Sequence, residues 1–218
     1  MWLMFSELVR YLRGQLRFFC GKYLFFQECK QSGISYVVIA QELKKNYTMA
    51  TTKQSQDMPN GHLHELFVEE LRDILGAEKQ LLKGLKKLAA GAESDTLKNA
   101  FQNHYAQTEG QIERLKQVFQ SIGLTARGKK CKAMEGLLGE AEEILEEFEG
   151  SPALDAALIS AAQKVEHYEI ASYGCLVTYA NLMEHTEAEE LLAATLAEEK
   201  ETDTLLTEIA MSEANATA

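Results

Sequence analysis

From Met58 onward, apolar residues recur every three to four positions, which is the spacing of an α-helix, and no convincing alternating run predicts a strand. The stop and cap residues divide this pattern into four long helices. The predicted helices are A (about 62–90, ended by Gly91), B (from a Ser/Asp cap at 94–95 to Gly123), C (151–185, with Ser151 as cap and Pro152 at the first helical position) and D (186–212). Residues 213–218 are expected to form a disordered tail.

Short turns join A to B and C to D, whereas the B–C connection is long and carries a short acidic helix at 132–148. This layout predicts an all-α fold, a four-helix bundle with one long crossover, which is the ferritin-like arrangement. The short helix cannot bury its apolar side in a core that A–D already close. We expect it to lie across the flank of the bundle or to help cover a dimer contact.

Residues 1–57 differ in composition from the predicted bundle domain, 58–212. The extension carries eight Lys/Arg and four Asp/Glu, while the whole chain has a net charge of −11. Basic residues interrupt its aromatic start too often for a membrane span, and it lacks the apolar centre and cleavage site of a signal peptide. Two interpretations remain open: an interfacial or partner-binding helix, or upstream sequence preceding a true start at Met49.

The acidic balance argues against nucleic acid and against an anionic membrane surface as partners of the bundle domain. The four cysteines, Cys20, Cys29, Cys131 and Cys175, show no CxxC spacing. Free thiols in a reducing compartment are therefore the simplest interpretation, and we expect a cytoplasmic protein.

Helix C places two acids where apolar side chains are expected. At about 100° per residue, Glu166 and Glu169 fall on the same face as Leu158 and Leu176, and Tyr173 follows one turn beyond Glu169. His167 points to the opposite side. The sequence therefore predicts two carboxylates inside the bundle.

The other long helices show the same interruption of their apolar stripes. Glu78 lies at the centre of the stripe on helix A, and His104 lies within the stripe on helix B. On helix D, Glu199 shares its face with leucines, and Asp203 lies about 40° away. Each long helix is therefore predicted to direct at least one metal-ligating side chain into the core.

Five carboxylates in one core need a counter-charge, because an unpaired buried carboxylate costs several kcal/mol. No Lys or Arg lies in the apolar stripes, and protonation can neutralise one or two acids, not five. Cations are the economical answer, and a dinuclear centre is the leading interpretation. Carboxylates with one imidazole suit iron or manganese. A mononuclear or vestigial site and a purely structural polar core remain as alternatives.

Several segments together closely resemble the YciE/YciF family of ferritin-like bacterial proteins, of the DUF892 type. They are "ELFVEELRDILGAEKQLL", "HYAQTEGQIERLKQVF", "CKAMEGLLGEAEEIL", "VEHYEIASYG" and "LAEEKETDTLL", in order between about 62 and 210. The resemblance implies iron association, a link to stress response and a homodimer, but no known reaction. It departs from the wider ferritin-like E-x-x-H pattern, because Gln102 and Phe101 precede His104 where a glutamate is expected.

The leading hypothesis is a stress protein with a dinuclear iron or manganese site that oxidises Fe(II) or reduces peroxide; whether it is an enzyme stays open. The expected roles are metal binding or bridging by Glu78, Glu166, Glu169 and Glu199, and terminal ligation by His104 and Asp203. Tyr173 is a hydrogen-bond partner, a redox-active neighbour or a packing residue. The rival hypothesis is a non-enzymatic helical interaction or structural protein with a vestigial site. Storage in a ferritin-type cage is less favoured, because no sequence feature specifies shell assembly.

Overall fold

The structure is a computed structural model that describes residues 60–218. The predictions about the N-terminal extension, 1–57, and about a start at Met49 lie outside these residues. The helices within the described part are α1 (Gly61–Gly91), α2 (Asp95–Ser121), α3 (Lys132–Glu147), α4 (Leu154–Leu182) and α5 (Thr186–Ile209), followed by a π-helical turn (Ala210–Ala214) and a last helical turn (Asn215–Thr217). None of the helices in this part of the chain is both long and apolar enough to cross a membrane.

Four helices form the bundle, and each packs against two neighbours in the ring order α1, α2, α5, α4. Their apolar stripes meet in one continuous core, in which Phe67, Leu97, Leu158 and Leu176 are fully buried. The connection from α2 to α4 is long and contains α3. The predicted all-α, ferritin-like four-helix bundle with a long crossover is therefore confirmed.

Hydrogen bonds between helix ends set the direction of each helix. The carboxylate of Asp155, at the start of α4, accepts the backbone N–H groups of Glu93 and Ser94 at 2.8 and 2.7 Å. The carboxylate of Glu213, after α5, accepts the hydroxyls of Ser94 and Thr96. The starts of α2 and α4 and the ends of α1 and α5 thus meet at one end of the bundle, called here the Asp155 end. Consequently α2 and α4 run parallel to each other and opposite to α1 and α5.

The crossover helix α3 lies on the flank of the bundle, packed against α1 and α4. Glycines on α1 allow this close approach. A Cβ on Gly84 would lie 2.4 Å from a methyl carbon of Leu138, and a Cβ on Gly91 would lie 2.2 Å from one of Leu145. The flank position predicted for this helix is confirmed.

The start of α4 differs from the prediction. The prediction of Ser151 as cap and Pro152 as first helical residue is wrong by two positions, because α4 begins at Leu154. Ser151 instead closes a turn, in which its Oγ accepts the N–H of Ala153 and its carbonyl accepts the N–H of Leu154. The cap at Ser94 is confirmed, since its hydroxyl oxygen accepts the N–H groups that follow it.

The predicted disordered tail at 213–218 is helical as far as Thr217. Ala214 is only 4% exposed, and Glu213 bonds to the start of α2. The helical segment at the C-terminus is therefore longer than the predicted helix D, because its small residues still pack against the bundle.

Candidate metal centre

The four bundle helices bring metal-ligating side chains to the same height in the core. His104, Glu166, Glu199 and Glu78 lie nine to thirteen residues from the ends of their helices at the Asp155 end. At 1.5 Å per residue this places all of them roughly 14–20 Å from that end. Equal spacing on antiparallel helices therefore assembles one cluster from residues far apart in the chain.

One ligand atom from each of His104, Glu166, Glu169 and Glu199 lies within 4.8 Å of the others. The four residues are between 0 and 3% exposed. His104 Nε2 lies 3.3 Å from Glu166 Oε1, a distance for an ion pair, yet the two atoms are not aligned as a hydrogen bond. This group, called here the core cluster, could hold a metal ion.

Glu78 lies beside the core cluster on α1 and is fully buried. Its Oε1 accepts the hydroxyl hydrogen of Tyr173, on α4. The negative charge of Glu199 is close enough to Glu78 to raise its pKa. The structure thus places Glu78 and Tyr173 together, next to the four residues of the core cluster.

Asp203 is not brought into the core cluster. Its side chain is 25% exposed, and its Oδ1 accepts a hydrogen bond from Gln163 Nε2 at 3.2 Å and lies 3.4 Å from His167 Nε2. The 40° that separates Asp203 from Glu199 on α5 is enough to turn it from the core toward the surface of α4. The structure thus gives no support to Asp203 as a terminal ligand in the core.

Many polar atoms around the core cluster have no hydrogen-bond partner, although buried polar groups are normally satisfied. Glu169 is the clearest case, because both of its oxygens are buried and no N–H or hydroxyl group donates to either, so that only a proton shared with Glu78 could pair it within the protein. The other buried unpartnered atoms of the centre are Glu78 Oε2, His104 Nε2, Glu166 Oε2, Glu199 Oε2 and Gln111 Oε1. Most of these are carboxylate oxygens, which accept and do not donate when ionised, so the set fits a cation.

Burial changes the protonation of these groups. Removal from water raises the pKa of Glu78 to about 8, and the charge of Glu199 adds to the rise. Burial also raises the pKa of Glu199 to about 7 and places those of Glu166 and Glu169 well above their usual range. The pKa of His104 falls to about 4 because the imidazolium loses its hydration. Without a cation, the centre therefore holds a neutral imidazole and keeps protons on carboxyls at neutral pH.

The orientation of the His104 ring is set from α5. Thr202 Oγ1 lies 3.5 Å from His104 Nδ1, and the Thr108 hydroxyl donates to the His104 carbonyl at 2.9 Å. Nε2 is the ring nitrogen left to face Glu166. A neutral histidine with its Nδ1 engaged in this way presents Nε2 as a ligand.

The sequence analysis missed Gln111, which is fully buried on α2. Its Nε2 donates to Glu199 Oε1 at 2.5 Å and to Glu198 Oε2 at 3.1 Å, and Arg114 pairs with the same Glu198 oxygen at 2.5 Å. Gln111 follows His104 by seven residues, which puts it about 20° from it on the helix. Its angle on α2 therefore predicts that Gln111 lies in the core, although its side chain is not ionisable.

Comparisons with known proteins agree with this fold. The family model of DUF892, described as a domain of unknown function, matches residues 62–218. Protein YciF of Escherichia coli (strain K12) is 48% identical over 154 residues, covering 70% of this chain and 93% of that protein.

Two solved structures can be compared directly. The crystal structure of the E. coli stress protein YciF matches with a TM-score of 0.68 and 48% identity, covering 70% of this chain and 97% of that chain. YcfI from Rhodopseudomonas palustris, named as a candidate structural protein, matches with a TM-score of 0.65 and 39% identity, covering 69% and 95%. The chain therefore belongs to the DUF892 family, as its resemblance to the YciE/YciF proteins led us to expect.

Proposed function

We propose that the bundle core binds two iron or manganese ions and that the protein is a ferritin-like stress-response protein with ferroxidase or peroxide-detoxifying activity. The observation that carries the metal part is Glu169, whose two oxygens are fully buried on α4 and, when ionised, accept no hydrogen bond from the protein. A carboxylate in that state is stabilised by a cation at bonding distance. The stress role follows from the likeness to YciF, which is described as a stress protein.

Charge balance supports two ions rather than one. The core carboxylates of Glu78, Glu166, Glu169 and Glu199 carry four negative charges when ionised, which match two divalent cations. The neutral His104 adds a ligand without adding charge. Carboxylates bridge metals about 3.5–4 Å apart, and oxygen ligands with one imidazole suit iron or manganese.

Bound iron or manganese would supply the one-electron chemistry that acts on Fe(II) or peroxide. The chain supplies the rest of the centre. Thr202 orients the ring of His104, Gln111 orients Glu199, and the Tyr173 hydroxyl orients Glu78. The surrounding apolar side chains exclude water, which strengthens each electrostatic contact at the centre.

A second candidate is a non-enzymatic helical interaction or structural protein whose site is vestigial. The raised pKa values of Glu78 and Glu199 favour it, because protonated carboxyls let the core persist without a metal. The name of the Rhodopseudomonas palustris relative points the same way.

Metal analysis of the full chain purified without chelator separates the two candidates. We expect about two equivalents of iron or manganese per chain, and half of that or less in the Glu169→Leu variant measured beside it. No bound metal after supplementation with Fe(II) and Mn(II) would favour the vestigial site. Oxygen consumption with Fe(II), and peroxide consumption by the loaded protein, then test for each activity.

The proposal also includes a homodimer in the cytoplasm, with no nucleic-acid or membrane partner for the bundle. Light scattering over a range of protein concentrations tests the assembly. A mass near twice that of the chain is expected, and a monomer at all concentrations would remove the dimer.

A further inference from the structure

The core cluster is closed to solvent and lies roughly 14–20 Å from the Asp155 end, so the shortest routes for a cation run between two helices. Its ligating residues are at most 3% exposed. A hydrated divalent ion moves through a protein most readily where oxygen and nitrogen ligands replace its water molecules in succession. Each of the four faces of the bundle can be compared on that basis.

Two faces are unfavourable to a cation. The face between α1 and α4 is covered by α3. On the face between α1 and α2, Lys86 Nζ lies 4.9 Å from the centre of the Tyr105 ring, above an apolar depression lined by Leu85 and Phe101. An ammonium group and apolar walls both oppose the passage of a divalent ion.

The face between α2 and α5 carries Arg114. Its Nη2 lies 2.5 Å from Glu198 Oε2, and Gln111 links the same carboxylate to Glu199 in the core. The guanidinium of Arg114 is already paired with this carboxylate. A cation here would have to displace a fixed positive charge.

The face between α4 and α5 instead presents two metal-ligating side chains. His167 is 69% exposed, and its Nε2 lies 3.4 Å from Asp203 Oδ1. Gln163 Nε2 donates to the same Asp203 oxygen and to Thr207 Oγ1, which holds the carboxylate in place. An imidazole and a carboxylate form the type of ligand pair that iron and manganese accept.

The His167–Asp203 pair is also about one helical turn from residues of the core cluster. Asp203 contacts Gln163 and His167, and Glu166 lies on the helical turn between those two residues. On α5, Asp203 is one turn beyond Glu199 and directly follows Thr202, which contacts His104. Because adjacent turns of a helix are about 5.4 Å apart, the pair lies within about one turn of Glu166 on α4 and of Glu199 on α5.

We propose that His167 and Asp203 form a surface site for a divalent cation, through which iron or manganese reaches the core cluster by way of Glu166. This inference rests on the proposed metal-binding function. Two protein ligands with the remaining positions filled by water make the surface site weak, so the ion is released inward to the carboxylates of the core. The site controls the rate of uptake and not the amount bound at equilibrium.

Stopped-flow absorbance of Co(II) binding to the metal-free full chain tests this proposal. Asp203→Asn and His167→Gln should each slow binding by about fivefold or more, because each removes one of the two ligands of the surface site, and Asp203→Asn also removes a negative charge that attracts the cation. The equivalents of Co(II) bound at equilibrium should stay at the wild-type value. Glu201→Gln is the matched control, because it removes one negative charge from an exposed position of α5 two residues from Asp203.

Each outcome decides between alternatives. Equal binding rates in Asp203→Asn, His167→Gln and Glu201→Gln would show that His167 and Asp203 form only an ordinary ion pair. That result would overturn the proposed surface site and leave the core site intact. If Asp203→Asn bound fewer equivalents of Co(II) at equilibrium than the wild type, Asp203 would be a ligand of the core site, and the proposed surface site would also be overturned. A wild-type chain that binds no Co(II) would remove both the surface site and the proposed function.

Discussion

Tyr173 donates its hydroxyl hydrogen to Glu78 across the core, which ties α4 to α1 beside the core cluster. Both residues are fully buried. The bond occupies Oε1 of Glu78 and leaves Oε2 as the unpartnered oxygen. The tyrosine thereby selects which oxygen of the carboxylate is available to a metal.

The Tyr173→Phe variant should keep the fold and lose metal affinity by about 10- to 100-fold, the usual effect of removing a hydrogen-bond partner of a ligand. The metal-free protein should lose about 1–3 kcal/mol of stability, because Glu78 Oε1 becomes unpartnered. Competition with a chelating dye and chemical denaturation measure the two effects. Tyr105→Phe, on α2 and half-buried, is the control, and an equal loss of affinity there would remove the specific role of Tyr173.

Substitution of Glu169 should act oppositely on metal binding and on the metal-free fold. Glu169→Ala should abolish or halve the bound metal. Glu169→Leu should be neutral or stabilising without metal, because an apolar side chain of similar volume replaces an uncompensated acid. Metal content and thermal melting measure both, and His167→Ala should keep the wild-type equilibrium content. Destabilisation of several kcal/mol with the metal retained would mean that Glu169 is paired within the protein.

The stability of the metal-free protein should fall as the pH rises from about 6.5 to 8. In that range the carboxyls of the unfolded chain have released their protons, whereas folded Glu199 keeps its proton up to about pH 7 and folded Glu78 keeps its proton up to about pH 8. Each such carboxyl contributes up to about 1.4 kcal/mol per pH unit. His104 opposes this fall only near pH 6.5, because its folded pKa lies near 4 and its unfolded pKa near 6.5.

Metal should reverse this trend, because it binds the ionised carboxylates and releases their protons. Melting temperatures with chelator and with excess Mn(II), measured between about pH 6.5 and 8, give the comparison. A melting temperature that rises with pH in the presence of chelator would show that the core carboxyls are ionised without metal.

Close packing of the crossover on α1 predicts unequal effects of two glycine substitutions. A Cβ on Gly76 would lie 1.6 Å from the carbonyl oxygen of Lys129, whose N–H donates to the Arg72 carbonyl. Gly76→Ala should therefore cost about 3 kcal/mol or more, since backbone must move. Gly110→Ala, in α2 with open space around it, should instead add about 0.5–1 kcal/mol. Urea denaturation measures both, and equal effects would contradict the packing of the crossover.

The periodicity of apolar residues predicted the fold because nearly every described residue belongs to a helix whose one face is buried. The same angular reasoning selected Glu78, His104, Glu166, Glu169 and Glu199, all of which the structure buries together. The centre of an apolar stripe faces the core, so an acidic residue at that position is buried.

The helical angle predicts burial less reliably for a residue at the edge of an apolar stripe. Asp203, about 40° from Glu199, was assigned to the core, but it lies where α5 meets α4 and contacts His167 instead. The angular position of a residue on one helix does not show which neighbouring helix packs against that face. His167 faces outward as predicted, with 69% of its side chain exposed. The pairing of the two residues depends on the rotation of α4 against α5, which only the structure gives.

The hydrogen bonds of Asp155 and Glu213 at the Asp155 end limit where residues can be inserted into or deleted from this chain. Asp155 and Glu213 fix the axial position of α2, α4 and the end of α5. One residue inserted between Asp155 and Glu166 would rotate both core glutamates of α4 by about 100° and remove them from the centre. An insertion in the turn at 183–185, at the opposite end, would leave every ligand where it is. Insertions and deletions among homologues should accordingly be confined to that far turn and to the crossover.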